Sequence, residues 1–198
     1  MIQAFRNFIT RRTFAYKLRN KAMNMFSSFE NFNLIREKAE ASRKAENRPH
    51  EVLYFHKVDD PYSHLTVHYI DKFKEAYDVQ FKPILVGEEN PAALHEPTLY
   101  TDYCLEDVKR IASYYNVDFP GKSYPDKKLV DKANSILTAV NPDEFGSVAK
   151  TVSHALWSGD LAKLEELEVS YKSSEQEVIE TLKAVSYTHL RAHETRPY

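Results

Sequence analysis

The sequence predicts an α/β domain that is mostly helical, built on one β–α–β unit and followed by a run of helices. Three observations predict it. Two short apolar, β-branched and aromatic runs, EVLYFHKV at 51–58 and VQFKPILV at 79–86, flank a segment with helical periodicity. Asp60-Pro61 between them reads as N-cap and first helical position, because Asp accepts an orphan backbone N–H and proline needs none. Beyond residue 101 the apolar spacing is helical throughout, and no further run reads as a strand.

Composition sets the outer bounds. The chain has 198 residues, 42% hydrophobic and 28% charged, which suits one ordinary domain with a core, or two small ones, and argues against wholesale disorder. One Cys excludes an intramolecular disulfide framework, a CxxC redox pair and a cysteine-rich zinc module. Four Gly leave no glycine-rich phosphate loop, and no apolar run approaches the ~20 residues of a membrane-spanning helix. The net charge of -2 conceals an asymmetry. Residues 1–50 carry 11 Lys+Arg and 4 Asp+Glu, whereas residues 51–198 carry 16 and 25. An acidic body disfavours a nucleic-acid partner, since phosphate backbones require a basic surface.

Taken in order, residues 1–49 form a basic, charged helical arm. Ile2, Phe5, Phe8 and Ile9 recur at helical spacing among Arg6, Arg11 and Arg12. Three readings of this start stay open: a membrane-surface or targeting helix, a twin-arginine signal, or an arm packed on the domain. Arg11-Arg12 fits the second, but Lys17, Arg19, Asn20 and Lys21 interrupt the apolar stretch that should follow. Residues 36–48, REKAEASRKAENR, read as a solvated helix running into Pro49, the expected boundary of a domain over 50–184.

In that domain, strand 51–58 leads through Asp59-Asp60-Pro61 into a helix with Leu65, Tyr69, Phe73 and Ala76 or Tyr77 on one face. The second strand contains Pro83, a sign of an irregular or edge-like position. A crossover of this length predicts a right-handed parallel pair. After a loop at 87–101, helices are expected at 103–116, 126–140 and 142–157, with Asn141-Pro142 as a cap-plus-proline start. Gly159 closes the third, Asp160 begins another with Leu161, Leu164 and Leu167, and 173–184 is helical again. Residues 185–195, VSYTHLRAHET, resemble the forward translation of a transposase sequencing adapter. Residues 185–198 are therefore expected to be a non-native tail, in which His189, Arg191 and His193 carry no function.

Several side chains are candidates for chemistry. Adjacent Asp59 and Asp60 offer a general base, His56 a proton carrier at the strand's end, and His64 with His68 a metal-compatible i, i+4 pair. Bland alternatives compete with each: an N-cap for Asp60, a satisfied core residue for His56, a solvated face for His64 and His68. Cys104 and Trp157 read as core.

Three stretches carry a resemblance. Tyr54-Phe55 through Asp60-Pro61-Tyr62-Ser63-His64-Leu65 is similar to a YFD-x-x-S-P-Y-S-Y-L turn, with one extra loop residue. Tyr103, Asp107, Arg110, Ala112 and Tyr115, then Phe119-Pro120, resemble a Y-x-x-x-D-x-x-R-x-A-x-x-Y helix with its Phe-Pro. Val152 through Gly159, with Ala155-Leu156-Trp157, is similar to an A-x-W-x-x-G helix. Order and spacing resemble the DsbA-like thioredoxin family, and within it the 2-hydroxychromene-2-carboxylate isomerases and kappa-class glutathione transferases, over residues 51–168. The resemblance implies a thioredoxin-like β–α–β unit with an α-helical insert, a C-terminal β–β–α half that this chain lacks, and a cytoplasmic protein. It implies glutathione as cofactor, its thiolate held by a Ser at the helix N-terminus. The catalytic candidates are Ser63, Asp60 and His56, and the glutathione-binding candidates are Asp60, Tyr62 and Ser63; no metal is expected. The turn departs from the redox branch, because Asp60-Pro61-Tyr62-Ser63 offers no thiolate for disulfide exchange. It departs from the isomerase branch as well, because the Asp60 carboxylate stands where a bound thiolate belongs. Two functions follow: an enzyme acting on a small organic substrate, or a redox-inactive module that binds a peptide or protein partner.

Overall fold

The computed structural model describes residues 14–87 and 96–184. The apolar spacing at 2–9, the twin-arginine match, residues 88–95 of the loop and the adapter-like tail lie outside the described residues. The chain divides into two compact units, one reaching to Pro49 and the other beginning at His50.

The first unit contains α1 (Phe14–Phe26) and α2 (Phe29–Ala45). Ser28 separates them, its hydroxyl accepting the Asn31 N–H at 3.2 Å as an N-cap. The charged stretch expected at 36–48 is thus the second half of a helix that starts at this cap. In its last turns Arg43 pairs with Glu40 at 2.7 Å, a half-buried i, i+3 contact.

The second unit starts with β1 (Glu51–His56), α3 (Pro61–Val67), α4 (Ile70–Ala76) and β2 (Gln80–Leu85). The strands pair in parallel, Glu51 opposite Gln80 and His56 opposite Leu85, as the crossover length requires. The first strand is shorter than the sequence suggests, because Lys57–Asp60 already turns, the Asp60 N–H reaching the Lys57 carbonyl at 3.1 Å. The single helix expected after Pro61 is two helices. At His68 and Tyr69 the backbone tightens to bonds from each N–H to the carbonyl three residues back, and Tyr69 provides no side-chain cap.

Ladder parity decides the character of each sheet edge. The Gln80 N–H donates to the His50 carbonyl at 2.7 Å and the Val86 N–H to the His56 carbonyl at 2.9 Å. Even-numbered residues of both strands therefore face the partner strand, and odd-numbered residues face outward. Pro83, opposite Tyr54, faces outward on β2 and removes no ladder bond, the edge-like position its sequence context indicates. On β1 the outward groups belong to Glu51, Leu53 and Phe55, and no strand pairs with them among the described residues.

Among the described residues five helices follow: α5 (Pro97–Tyr114), α6 (Lys127–Thr138), α7 (Phe145–Ser158), α8 (Leu161–Ser170) and α9 (Glu175–Ala184). Pro97 opens α5 earlier than the spacing indicates. Asn141-Pro142 does not start α7; the Asn141 side chain accepts the Asp143 N–H at 3.0 Å in a turn, and the helix begins at Phe145. Gly159 ends α7 in the left-handed region at φ 72°, and the Asp160 side chain caps α8 through the Lys163 N–H at 3.0 Å. Ile136, Ala149, Val152, Leu156 and Leu164 from α6, α7 and α8 are buried together with Val67, Ile70 and Leu85, so the core lies between these helices and the strand–helix unit. The described residues are thus mostly helical around one small parallel sheet.

Candidate functional site

The site is built where β1 turns into α3. Asp60 holds extended backbone and caps α3: its Oδ2 accepts the Ser63 N–H at 2.7 Å. The same Oδ2 accepts the Ser63 hydroxyl at 2.7 Å, and Ser63 is buried. Two of the sequence candidates therefore meet, and they satisfy each other. Asp59 pairs instead with Lys57, Nζ to Oδ1 3.1 Å.

Tyr62 points elsewhere. Its hydroxyl donates to Asp107 Oδ2 on α5 at 2.8 Å, tying α3 to the following helix. Burial, then this bond and the neighbouring Cys104, push the phenol well above its ordinary range. Tyr124 is raised in the same way, by burial and then by Cys104 and Asp60. Cys104 is itself buried, as the core reading holds.

His56 is buried to 1% exposure. Its Nδ1 stands 3.0 Å from the Tyr54 hydroxyl, and its ring lies edge-on to Phe145. Burial, reinforced by the charge of His64, lowers its pKa from 6.5 to about 4. Tyr54 is shifted upward, first by burial and then by the Asp60 charge, with the Ser63 and Thr66 hydroxyls partly opposing. The consistent assignment is a neutral imidazole whose Nδ1 accepts the phenol proton. Nε2 then carries the hydrogen, buried and without a partner among the described residues.

The metal-compatible histidine pair is not a ligand pair, nor is His64 on a solvated face. Its Nε2 donates to the Asp118 carbonyl at 2.8 Å, and its Nδ1 meets the Ser153 hydroxyl at 2.9 Å. Burial lowers its pKa, and α3 is thereby fastened to α7. The His68 ring lies tilted against it, 5.1 Å away, and its pKa is lowered to about 4, again chiefly by burial. No group of three or more His, Cys, Asp or Glu suited to a metal occurs among the described residues.

An apolar groove of about 250 Å³ runs beside the outward edge of β1, lined by Val52, Leu53, Tyr54, Thr66, Tyr69, Ile70, Phe73 and Phe81. A second, of about 300 Å³, shares Thr66 and Tyr69 and continues to Ile111, Tyr115 and Val117. Tyr54 and Asp107 are the partners that candidate selection by side-chain chemistry passed over. Tyr54 was legible from its spacing, two residues before His56 on one strand face; Asp107 lies 45 positions from Tyr62 and only the fold joins them.

Among the described residues no helix is long and apolar enough to cross a membrane. No family model and no curated protein matches the chain.

Proposed function

We propose that the chain is a DsbA-like thioredoxin-type module without redox chemistry that binds an extended peptide along β1. The parallel β1–α–β2 unit, the Asp60-Pro61 start of α3 and the helices after β2 support the fold assignment. The observation that carries the function is the pair Asp60–Ser63. The Ser63 hydroxyl donates to a carboxylate 2.7 Å away, at the position a bound thiolate occupies in the isomerase and transferase branch. A second anion there is repelled, and the hydroxyl is already engaged. Among the described residues the outward edge of β1 is unpaired, and with the apolar groove beside it this edge offers an extended peptide main-chain bonds and pockets for alternate side chains.

The second reading is an enzyme of the isomerase or glutathione-transferase kind acting on a small organic substrate, with Ser63, Asp60 and His56 catalytic and Tyr62 beside them. The Tyr54–His56 hydrogen bond favours it, since it supplies a neutral imidazole and a phenol next to the turn.

One set of titrations separates them. A fluorescein-labelled peptide of alternating valine and lysine should bind the full chain and lose affinity in Leu53→Pro. That variant deletes an outward N–H and spares the even-numbered ladder bonds. Calorimetry with glutathione should show no saturable heat. Saturable glutathione binding abolished by Ser63→Ala, with no peptide binding, would sink the module and establish the enzyme reading.

A further inference from the structure

The arm has a chemistry of its own. Before the first acid, Glu30, the sequence places six cations: Arg6, Arg11, Arg12, Lys17, Arg19 and Lys21. In α1, Leu18, Ala22, Met25 and Phe26 stand at i, i+4, i+7 and i+8 and share one side of the helix. Lys17 and Lys21, four apart, form a separate row, and the Arg19 guanidinium lies over the Tyr16 ring at 5.5 Å. The apolar row faces solvent: Leu18, Met25 and Phe26 are each more than half exposed, and Phe29 at the start of α2 is 76% exposed. Phe32 and Leu34 are exposed beyond it. From Arg36 onward the character changes to mixed charge with internal pairs such as Glu40–Arg43.

We propose that this arm is an interfacial anchor, lying on a bilayer that carries anionic lipid headgroups, with α1 and the first turns of α2 as the contact. Aromatic, leucine and methionine side chains enter the headgroup boundary while the lysines meet phosphates, the pattern of helices that lie in the interface rather than span it. Charge selects this occupant. A second copy's arm would set six cations against six, and a neutral apolar groove would leave all of them uncompensated. An anionic surface compensates Lys17, Arg19 and Lys21 on α1. The phosphate backbone of a duplex would satisfy the cations but offers Phe26 and Phe29 no apolar medium.

Co-sedimentation of the full chain with phosphatidylcholine vesicles, with and without phosphatidylglycerol, tests the assignment. Binding is expected only with phosphatidylglycerol, weakening as salt rises. Replacing Lys17, Arg19 and Lys21 by Gln should weaken it roughly hundredfold, at about fivefold for each cation removed from the surface. Replacing Met25, Phe26 and Phe29 by Ser should also abolish it at low salt, with far-UV circular dichroism confirming that the rest of the chain stays folded. Equal affinity for both vesicles, or binding to neither, overturns the proposal. So does a self-association, measured by sedimentation velocity, that the same Ser variants abolish while vesicles recruit nothing. Binding to duplex DNA that survives the Ser substitutions and exceeds binding to vesicles assigns the cations to nucleic acid instead.

Discussion

Asp60 is a structural carboxylate before it is anything else. It receives both the N–H and the hydroxyl of Ser63, so removing it exposes two donors at once. Asp60→Ala should cost about 1–2 kcal/mol in urea denaturation, whereas Asp60→Asn, which keeps the acceptor, should cost a few tenths. Equal losses in the two variants would mean that charge rather than capping is what the turn requires. The histidines give a pH signature. His56 and His68 titrate near 4 in the fold against 6.5 unfolded, so the unfolded chain binds more protons between those values. Stability is therefore complete above pH 6.5 and declines as pH falls toward 4. Buried His56 alone contributes on the order of 3 kcal/mol to that decline. His56→Gln, which retains a partner for Tyr54, should flatten the profile of stability against pH in this window; an unchanged slope would show that His56 is not the group responsible.

Two glycines show how the helices are joined. A Cβ at Gly121 would stand 2.6 Å from both Phe119 Cζ and Trp157 Cε3, in the aromatic cluster beneath α7. Gly121→Ala forces those rings apart and should destabilise by about 1–3 kcal/mol through overpacking. Gly159 has open space around it, but its φ is 72°. Gly159→Ala should therefore cost roughly 1 kcal/mol from backbone strain alone. Thermal melts of both variants check the order, which reverses if Phe119 swings out freely. At this level much was legible. The Asp60 and Asp160 caps, the Gly159 stop and the parallel strands follow from residue type and spacing. The misplaced helix starts have local causes. Asn141-Pro142 carries a cap's residue types, yet the Asn141 side chain closes a turn one step too early, and Pro97 extends α5 into a segment whose polarity reads as loop.

For the second unit as a whole, stability rests on the helices around Leu164 rather than on a sheet of two strands, which is marginal alone. Leu164 on α8 is fully buried where α6, α7 and α8 meet. Leu164→Ala should cost about 2–5 kcal/mol, read as a shift of the denaturation midpoint with the slope unchanged. A change of slope with no shift of the midpoint would show that the helices and the sheet do not unfold as one unit. The sequence by itself determined the single thiol, the segregation of charge between arm and body, and the helical and strand periods, because each depends on residue type and short-range spacing. Only the tertiary structure decided where the titratable groups lie. His64 reads as a surface residue on its own helix and is buried because α7 places Ser153 against it, 89 positions away. Tyr62 meets Asp107 for the same reason, and the outward edge of β1 exists because parallel pairing turns its odd-numbered amides away from β2. Burial and long-range pairing are properties of the packed chain, and no local window of sequence contains them.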